Sequence, residues 1–539
     1  MTAAALSNVT KAEFRMPHAT KRRDLLAGAA ALAGGFAVPF PSFGQGPRPG
    51  DSRVGPVTLT AGRRTVEVKG RAASVFGITQ PDGTAGLFTE VGKPFQVVLN
   101  NDTGVDTLLH WHGLTPPWQQ DGVPGISAPP VAPGDAASYD FPLTFPGTFW
   151  MHSHQGLQEQ SLFSAPLIVR DPAYEPDRQE VVLLLHDFSF KSPDEIYAGL
   201  RGAGASPAGH AMDQTSAASG KHMQGMAMPG MAADAPEPVA GAPNLMPGMD
   251  VAPAMKMSKD GDMGAPGMPM DLNDVVYDAF LANDRTLDDP QVVRVERGGR
   301  VLLRVINGSA ASNFQVGFDG LPARLLAVDG HAVQPVAGSA FPVAIAQRLD
   351  LAFDMPADRS VVPVFAVLEG ERKRTGIVLA TATGFVSRLP DLAPAEAAPL
   401  NFAQEQALRA AAPLAAKATD RTLQVDLTGS MEKYVWGLNG KPHGQDTPLM
   451  VAKGERVELV MTNRTMMSHP MHLHGHAFQV VEVDGQRFLG AVRDTVLVLP
   501  MNSVTVAFDA DNPGHWAFHC HNLYHMEAGM MTTVRYEAA

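Results

Sequence analysis

The chain has 539 residues, of which 45% are hydrophobic, and a formal net charge of −13 at pH 7. At roughly 150 residues per domain, this length predicts about three domains once a leader and an insert are set aside. The acidic balance argues against nucleic acid as a partner, and a single cysteine, Cys520, excludes an intramolecular disulfide.

The first 45 residues have the pattern of a bacterial export signal. Arg22 and Arg23 precede an apolar, small-residue run at 25–38, which is too short to cross a bilayer as a permanent helix. A twin-arginine pair before such a run is typical of the twin-arginine export route. The sequence therefore predicts a leader at 1–45, a periplasmic location and no stable membrane insertion. The alternative is a chance Arg-Arg pair.

One β pattern occurs three times in the chain. A turn with glycine, followed by Val, Leu and Phe residues and closed by Asn, recurs at 92–101, 297–307 and 453–463. Short strands separated by Gly, Pro and Asn turns predict all-β sandwiches with Greek-key connections. The first and third copies lead into histidine motifs, whereas the middle copy does not. We therefore expect three consecutive β-sandwich domains, at 46–172, 173–395 and 396–539.

Histidines occur in His-x-His pairs far more often than chance predicts. Random placement of 18 histidines in 539 residues would give roughly 0.6 pairs. Residues two apart on a strand share a face, so both imidazoles of a pair point the same way. The chain has five pairs, His110 with His112, His152 with His154, His472 with His474, His474 with His476, and His519 with His521.

The composition changes at about 203–270 to Gly, Pro, Ala and Met. This segment has no strand periodicity and carries 12 of the 26 methionines, which predicts a disordered insert within the middle domain. Thioether sulfur is a soft ligand that favours Cu(I). The insert is therefore either a copper-collecting arm, to which His210 and His222 would add imidazole, or a simple tether.

Cys520 lies between two histidines near the end of the chain. On a strand, His519 and His521 would point to one face and Cys520 to the other, so one tripeptide can touch two metal sites. His525 and Met530 follow at five-residue steps. Thiolate, imidazole and a weak axial thioether suit an electron-transfer copper, and a second imidazole would come from His469, which we place on a loop.

Eight strand histidines that face a common space could hold three further metal ions, with three, three and two ligands. At this point the chain resembles the multicopper oxidase family over nearly all of its length beyond the leader. The resemblance rests on four motifs: His110-Trp111-His112-Gly113, Trp150-Met151-His152-Ser153-His154, His469-Pro470-Met471-His472-Leu473-His474 and the segment from His519 to Met530. It implies cupredoxin domains and four copper ions, one of type 1, one of type 2 and two of type 3.

The resemblance also implies which residues bind each ion, by motif position. The type 1 copper would take His469, Cys520, His525 and axial Met530. The type 3 pair would take His112, His152 and His521 on one ion, and His154, His474 and His519 on the other. His110 and His472 would hold the type 2 ion. His476 would be a ninth cluster histidine and is expected to pack instead.

Two residues are expected to act in the reaction itself. Cys520 would give electrons a short backbone path from the sulfur-bound copper to its two histidine neighbours. Asp121 stands where the family places a carboxylate near the cluster, and it would donate protons. Alternatively, Asp121 is only the first residue of an Asp-Gly turn. Glu527 lies one place beyond the acid of some relatives, so we do not expect a second proton relay there.

The resemblance implies an exported oxidase that couples one-electron oxidation of a reductant to reduction of dioxygen to water. The insert and the segment around Met530 are most similar to the copper-resistance (CopA-like) branch, so Cu(I) is the expected reductant, with small phenols as accompanying substrates. Alternatives are a laccase, a ferroxidase, or a copper storage or delivery protein. Iron oxidation calls for carboxylates near His469 and His525, and only Glu527 stands out. The sequence does not indicate the oligomeric state.

Overall fold

The computed structural model describes residues 55–171, 173, 177–202 and 272–537. The expected leader at 1–45 and the expected methionine-rich insert at 203–270 lie outside the described residues. β-strands make up about 50% of the structure and helices about 6%, which confirms the all-β expectation. No helix in the described part of the chain has the length and apolar character needed to cross a membrane.

The first domain is a sandwich of two four-stranded sheets. Its strands are β1 (Val57–Val68), β2 (Arg71–Thr79), β3 (Leu87–Glu90), β4 (Pro94–Asp102), β5 (Leu109–His112), β6 (Ala136–Pro142), β7 (Gly147–Ser153) and β8 (Ser164–Arg170). The strand orders are β2-β1-β4-β6 and β3-β8-β7-β5. Alternate residues such as Phe95, Val97 and Leu99 are buried between the sheets, which is the period-two pattern of a half-buried strand. Two 3-10 helices, Trp118–Gln120 and Gln158–Ser161, follow the histidine strands.

The middle domain pairs a six-stranded sheet with a five-stranded sheet. Its elements are β9 (Gln179–Phe188), α1 (Pro193–Leu200), β10 (Ala279–Ala282), β11 (Val292–Arg294), β12 (Arg300–Asn307), β13 (Phe314–Gly317), β14 (Ala323–Val328), β15 (His331–Gly338), β16 (Phe341–Val343), β17 (Arg348–Asp354), β18 (Val361–Leu368) and β19 (Arg374–Ala380). The strand orders are β10-β9-β12-β17-β14-β15 and β11-β19-β18-β13-β16. Helix α1 begins after Ser192, whose side chain forms a capping box with Glu195.

The third domain pairs a seven-stranded sheet with a five-stranded sheet. Its elements are α2 (Ala403–Ala407), β20 (Arg421–Ser430), β21 (Val435–Leu438), β22 (Leu449–Val451), β23 (Arg456–Asn463), β24 (His469–Leu473), β25 (Phe478–Val483), β26 (Gln486–Arg487), β27 (Val492–Arg493), β28 (Thr495–Val498), β29 (Ser503–Asp509), β30 (His515–Cys520), α3 (Leu523–Glu527) and β31 (Met531–Tyr536). The larger sheet runs β21-β20-β23-β29-β25-β26 with β27 paired to β25, and the smaller runs β22-β31-β30-β24-β28.

Apolar contacts join the first domain to both of the others. Trp150 of β7 packs in a buried cluster with Leu184 and Ile345 of the middle domain. Val123, which follows the first histidine strand, packs with Ala517 and Met531 of the third domain. The two ends of the chain therefore meet, and their histidine strands lie at the same boundary.

Candidate copper centres

Two pairs of neighbouring strands carry most of the predicted metal ligands. In the first domain, β5 pairs antiparallel with β7, and His110 lies opposite His152. In the third domain, β24 pairs antiparallel with β30, and His472 lies opposite His519. Residues opposite each other on adjacent strands have side chains on one face of the sheet. Each strand pair therefore presents its imidazoles together.

The eight histidines expected in the cluster form one buried group between the first and third domains. The most accessible of them, His154, is only 7% exposed. Single ligand atoms of these residues lie within 4.8 Å of one another in three sets: His112, His152 and His521; His154, His474 and His519; and His110, His112 and His472. The first two sets have the membership expected for the type 3 pair, and the third contains both residues expected at the type 2 ion.

Cys520 belongs to a separate set, although its covalent neighbours are in the cluster. Its Sγ atom lies 3.6 Å from Nδ1 of His469 and 3.8 Å from Nδ1 of His525. Met530 is fully buried. Its backbone holds it beside Cys520 and His525, because its carbonyl accepts a hydrogen bond from the Cys520 amide and its amide donates to the His525 carbonyl. We call these four residues the mononuclear site. His469 is the first residue of β24 and pairs with Val498, so its expected position on a loop is wrong.

Free nitrogen atoms in the cluster show that it suits a metal ion. His110 donates its Nδ1 proton to the carbonyl of Asp121, and His472 donates to the carbonyl of Asp494, both at 2.8 Å. The Nε2 atoms of both rings are buried and have no partner among the described residues. Because buried polar atoms are rarely left without a partner, these lone pairs point to a bound cation. The same holds for one nitrogen in each of His112, His152 and His521.

Elsewhere in the cluster, two lone pairs face each other. His474 donates from Nδ1 to the Asp121 carboxylate at 2.8 Å, and His519 donates from Nδ1 to the Cys520 carbonyl at 2.9 Å. Their Nε2 atoms lie 3.0 Å apart, and a neutral imidazole carries only one proton. Neither nitrogen can then donate a hydrogen bond to the other, and the two lone pairs repel. A cation between them would accept both lone pairs and remove the repulsion.

The mononuclear site has the same arrangement. His469 donates from Nε2 to the hydroxyl of Thr465 at 2.8 Å, and His525 donates from Nε2 to the carboxylate of Asp274 at 2.7 Å. Their Nδ1 atoms therefore present lone pairs to each other at 3.2 Å. With the Cys520 sulfur alongside, this is a soft donor set that suits copper.

The pKa directions agree with metal binding. Burial, reinforced by neighbouring imidazoles, lowers the pKa of His112, His472 and His474 well below the ordinary value, so these rings are neutral and able to coordinate. Burial raises the pKa of the Cys520 thiol. The thiolate therefore needs an adjacent positive charge, which a metal ion supplies.

Asp121 lies at the cluster and precedes a tight turn, so its position is compatible with either of the roles considered for it. It is fully buried, and its carboxylate lies within the metal-binding distance of His110 and His474. The next residue, Gly122, has φ +87°, and a Cβ there would lie 1.8 Å from the Leu109 carbonyl oxygen. Only glycine allows this turn to lie against the histidine strand.

Three buried carboxylates at the site were not found from the sequence. Glu159 lies 2.8 Å from Nδ1 of His152, Asp494 accepts from Nε2 of His112 at 3.0 Å, and Asp274 binds His525. Carboxylates in this position fix the tautomer and orientation of a metal-binding imidazole. The sequence did contain a signal for Asp494, since an Asp in a Val- and Leu-rich segment is unusual unless paired; it lies between the short strands β27 and β28. Asp274 corrects the expectation that only Glu527 could lie near the mononuclear site.

His476 lies outside the metal-binding sets, as expected. Its Nδ1 contacts the His474 carbonyl at 3.0 Å, and its Nε2 contacts the Tyr536 hydroxyl at 2.7 Å. Trp111 and Trp150 are fully buried, in agreement with a packing role.

Comparisons with known proteins agree with this geometry. Three family models, each described as multicopper oxidase, match residues 63–174, 252–382 and 417–539. The multicopper oxidase MmcO of Mycobacterium tuberculosis is 31% identical over 500 residues, which cover 91% of this chain and 88% of that protein. A copper resistance protein A homolog of Pseudomonas syringae pv. tomato is 27% identical over 97% of this chain and 100% of its own length.

Solved structures with the same fold include an iron-import oxidase and a laccase. Fet3p, titled a multicopper oxidase that functions in iron import, aligns with a TM-score of 0.66 at 18% identity and covers 89% of this chain and 90% of that chain. A mutant laccase from B. aclada aligns with a TM-score of 0.67 at 20% identity and covers 88% and 86%. At these identities, the two structures support the three-domain fold alone.

Proposed function

The chain belongs to the multicopper oxidase family, and on that premise we propose that it is an exported cuprous oxidase that protects its cell from copper. The chain is a copper-dependent oxidoreductase that uses dioxygen and a reductant, with four copper ions as is typical of the family. The choice of Cu(I), the role in copper tolerance and the periplasmic location are the proposed parts.

Bound copper supplies one-electron redox chemistry at the mononuclear site and dioxygen reduction at the cluster. The chain connects these sites through covalent bonds. Cys520 contributes sulfur to one site, and the residues bonded to it, His519 and His521, belong to the two triads of the other. Dioxygen reduction also consumes protons, and we assign their delivery to Asp121. Its Oδ1 atom is buried and makes no hydrogen bond to the described residues.

The observation that carries the proposal is a carboxylate at the mononuclear site, because a negative charge there favours a cation as the reductant. Asp274 accepts hydrogen bonds from His525 and from the Tyr434 hydroxyl, both at 2.7 Å, and its side chain is fully buried. Burial alone would raise the pKa of Asp274, but His525 and the hydrogen bonds together hold it below the usual value. The carboxylate therefore stays ionised and attracts positive charge toward His525.

The covering of the mononuclear site argues against a bulky reductant as the main substrate. His525 is fully buried, and the ring of Trp436 lies over it with centroids 4.1 Å apart. Tyr434 packs at the same imidazole with centroids 6.0 Å apart. A phenol would need an exposed edge of the His525 imidazole for close contact. A metal ion would need only a negatively charged group, such as the Asp274 carboxylate, near the site.

The preference for Cu(I) over Fe(II) comes from the methionines at 203–270, which lie outside the described residues. Thioether sulfur selects Cu(I), whereas carboxylate oxygen alone suits harder ions. A ferroxidase remains the second candidate because Asp274 gives the site the carboxylate that iron oxidation would use. The predicted twin-arginine leader supports action outside the cytoplasm, where copper would be oxidised before it enters.

Steady-state oxygen uptake by copper-loaded protein tests the proposal when Cu(I), Fe(II) and a phenol are compared side by side. We expect the highest kcat/KM with Cu(I). Deleting residues 203–270 should lower kcat/KM for Cu(I) far more than for the phenol, with the full-length chain as the control. A higher value for Fe(II) would support the ferroxidase instead, and equal loss with every reductant would reject the copper-collecting role of the insert. Copper binding without oxygen uptake would indicate storage or delivery.

A further inference from the structure

The described part of the middle domain contributes no histidine to the cluster. One of its arginines, however, binds a carboxylate residue that in turn binds two cluster histidines. Arg348, the first residue of β17, is fully buried. Its guanidinium forms a two-point ion pair with Asp494 of the third domain, with Nη1 donating to Oδ1 at 2.8 Å and Nη2 donating to Oδ2. We propose that Arg348 is a positioning residue of the copper cluster, acting through Asp494 on His112 and His472.

Asp494 also binds the two histidines, one through the carboxylate that pairs with Arg348 and one through its backbone carbonyl. Its Oδ1 accepts from Nε2 of His112 at 3.0 Å, and its backbone carbonyl accepts from Nδ1 of His472 at 2.8 Å. Each bond holds the proton on one ring nitrogen, so the opposite nitrogen keeps its lone pair for the metal. Those opposite atoms, Nδ1 of His112 and Nε2 of His472, are among the buried nitrogens that find no hydrogen-bond partner in the described part of the chain.

Arg348 is in turn held by contacts with the first and middle domains. Its Nε donates to the Thr148 carbonyl of the first domain at 3.2 Å, and its Nη1 donates to the Ala346 carbonyl at 3.0 Å. Asp329 accepts from the Arg348 amide at 2.8 Å and also binds Arg493, the residue before Asp494, at 2.8 Å. The guanidinium therefore has little freedom to rotate, and it fixes the plane of the Asp494 carboxylate.

The turn after His112 provides independent support. Gly113 has φ +91°, and a Cβ at this position would lie 2.5 Å from Nη2 of Arg348 and 2.9 Å from Oδ2 of Asp494. The backbone that follows a cluster histidine thus packs directly on the ion pair. All three domains meet at this point, with His112 from the first, Arg348 from the middle and Asp494 from the third.

A lysine at position 348 tests the proposal, because Arg348→Lys keeps the buried positive charge but cannot form the planar two-point pair. Arg304→Lys is the matched control. Arg304 is also buried in the middle domain and contacts Thr148 at 2.9 Å. Its carboxylate partners, Asp350 and Glu180, are not among those that bind cluster histidines. Arg348→Gln is a second, more severe variant.

We expect Arg348→Lys to alter the electron paramagnetic resonance signal of the type 2 copper and to lose cluster copper to a chelator at about tenfold lower chelator concentration. The blue absorption of the mononuclear site should stay as in the unmodified protein, which also shows that the variant is folded. Arg348→Gln should give the same change, enlarged. Arg304→Lys should leave the type 2 signal and the chelator profile unchanged.

The proposal rests on the ligand roles proposed for His112 and His472, and the measurements separate the two. If the unmodified protein shows no type 2 signal, the ligand assignment fails and the proposal fails with it. If that signal is present and Arg348→Lys leaves it and the chelator profile unchanged, only the positioning role fails. If the Arg348 and Arg304 variants changed the type 2 signal and the chelator profile equally, Arg348 would have only a general packing role, and the proposal would be overturned.

Discussion

Nε2 of His525 lies 2.7 Å from Oδ2 of Asp274, so the outer nitrogen of one mononuclear-site ligand is bonded to a carboxylate of the middle domain. The two residues are 251 positions apart in the chain. The contact means that the middle domain, which carries none of the four residues of the mononuclear site, supplies a buried carboxylate that binds one of them.

Asp274→Asn should lower kcat/KM for Cu(I) by about 10- to 100-fold. The substitution keeps the shape and a hydrogen-bond acceptor but removes the negative charge, and charge-assisted contacts contribute about 1.5–3 kcal/mol, where about 1.4 kcal/mol is tenfold in rate. Oxidation of an uncharged phenol should change much less. Oxygen uptake with both reductants measures the difference.

Asp278→Asn is the control for this substitution. Asp278 lies on the same segment, but it is exposed, and its carboxylate accepts hydrogen bonds from the Ser189 hydroxyl and the Phe190 amide, both far from the metal ligands in the sequence. It should behave as the unmodified protein. If Asp274→Asn slowed both reductants equally, the carboxylate would act on the mononuclear site itself and not on the approaching cation.

The fold was predictable because its signals are local. The alternation of buried and exposed residues in strands such as β4 and β18, and the Gly, Pro and Asn turns between them, predict sandwiches without long-range information. The His-x-His pairs were equally visible, because strand geometry alone brings two alternate imidazoles to one face. The grouping into triads needed the family resemblance, since it depends on how two distant domains meet.

The carboxylates behind the histidines were harder to predict for the opposite reason. Asp274 and Asp494 bind histidines of another domain, His525 and His112, and no fixed spacing connects these carboxylates to the motifs. Glu159 follows its partner His152 by only seven residues, but it lies beyond the end of the strand, where strand periodicity no longer applies. Asp121 was identified only because the family places an acid near that position. The partner of a buried charge is set by domain packing, which sequence periodicity does not describe.

Asp121→Asn should separate the two roles considered for this residue. Asn is as suitable as Asp at the first position of such a turn, so a purely structural role predicts normal activity. A proton-donating role predicts that reoxidation of the reduced enzyme by dioxygen slows by about 10²- to 10⁴-fold. Stopped-flow mixing with dioxygen measures this step. Anaerobic reduction of the mononuclear site by a phenol should be unchanged and serves as the internal control.

Cys520→Ser should abolish the blue absorption and reduce oxygen uptake to background. The hydroxyl of serine is a poor substitute for a soft thiolate, so one of the four expected copper ions should be lost and the cluster should keep the others. Metal analysis and absorption spectra measure both effects. Met530→Leu, which removes only the weak axial ligand at similar volume, should keep the blue band. A blue Cys520→Ser protein would contradict the assignment of the sulfur.

Acid should destabilise the metal-free protein as the pH falls below about 6.5. Burial lowers the pKa of His519 to about 3 and that of His186 to about 4. It also lowers the pKa of six further cluster histidines, His112, His152, His154, His472, His474 and His521. An unfolded imidazole binds a proton below about pH 6.5, whereas these folded ones do not until the pH reaches their lowered values. The free energy of unfolding therefore has its full value, with respect to these histidines, above about pH 6.5. As the pH falls from there to about 3 to 4, it decreases by up to about 1.4 kcal/mol per histidine and pH unit.

Thermal unfolding of metal-free and copper-loaded protein at a series of pH values measures this loss. Copper occupies the lone pairs that protons would otherwise take, so the loaded protein should keep its Tm to lower pH and then lose copper and stability together. His186 is not among the expected ligands, so its share of the acid sensitivity should persist in both forms and should disappear in His186→Asn. A metal-free protein whose Tm did not change between about pH 7 and pH 4.5 would show that the buried imidazoles are not held neutral by the fold.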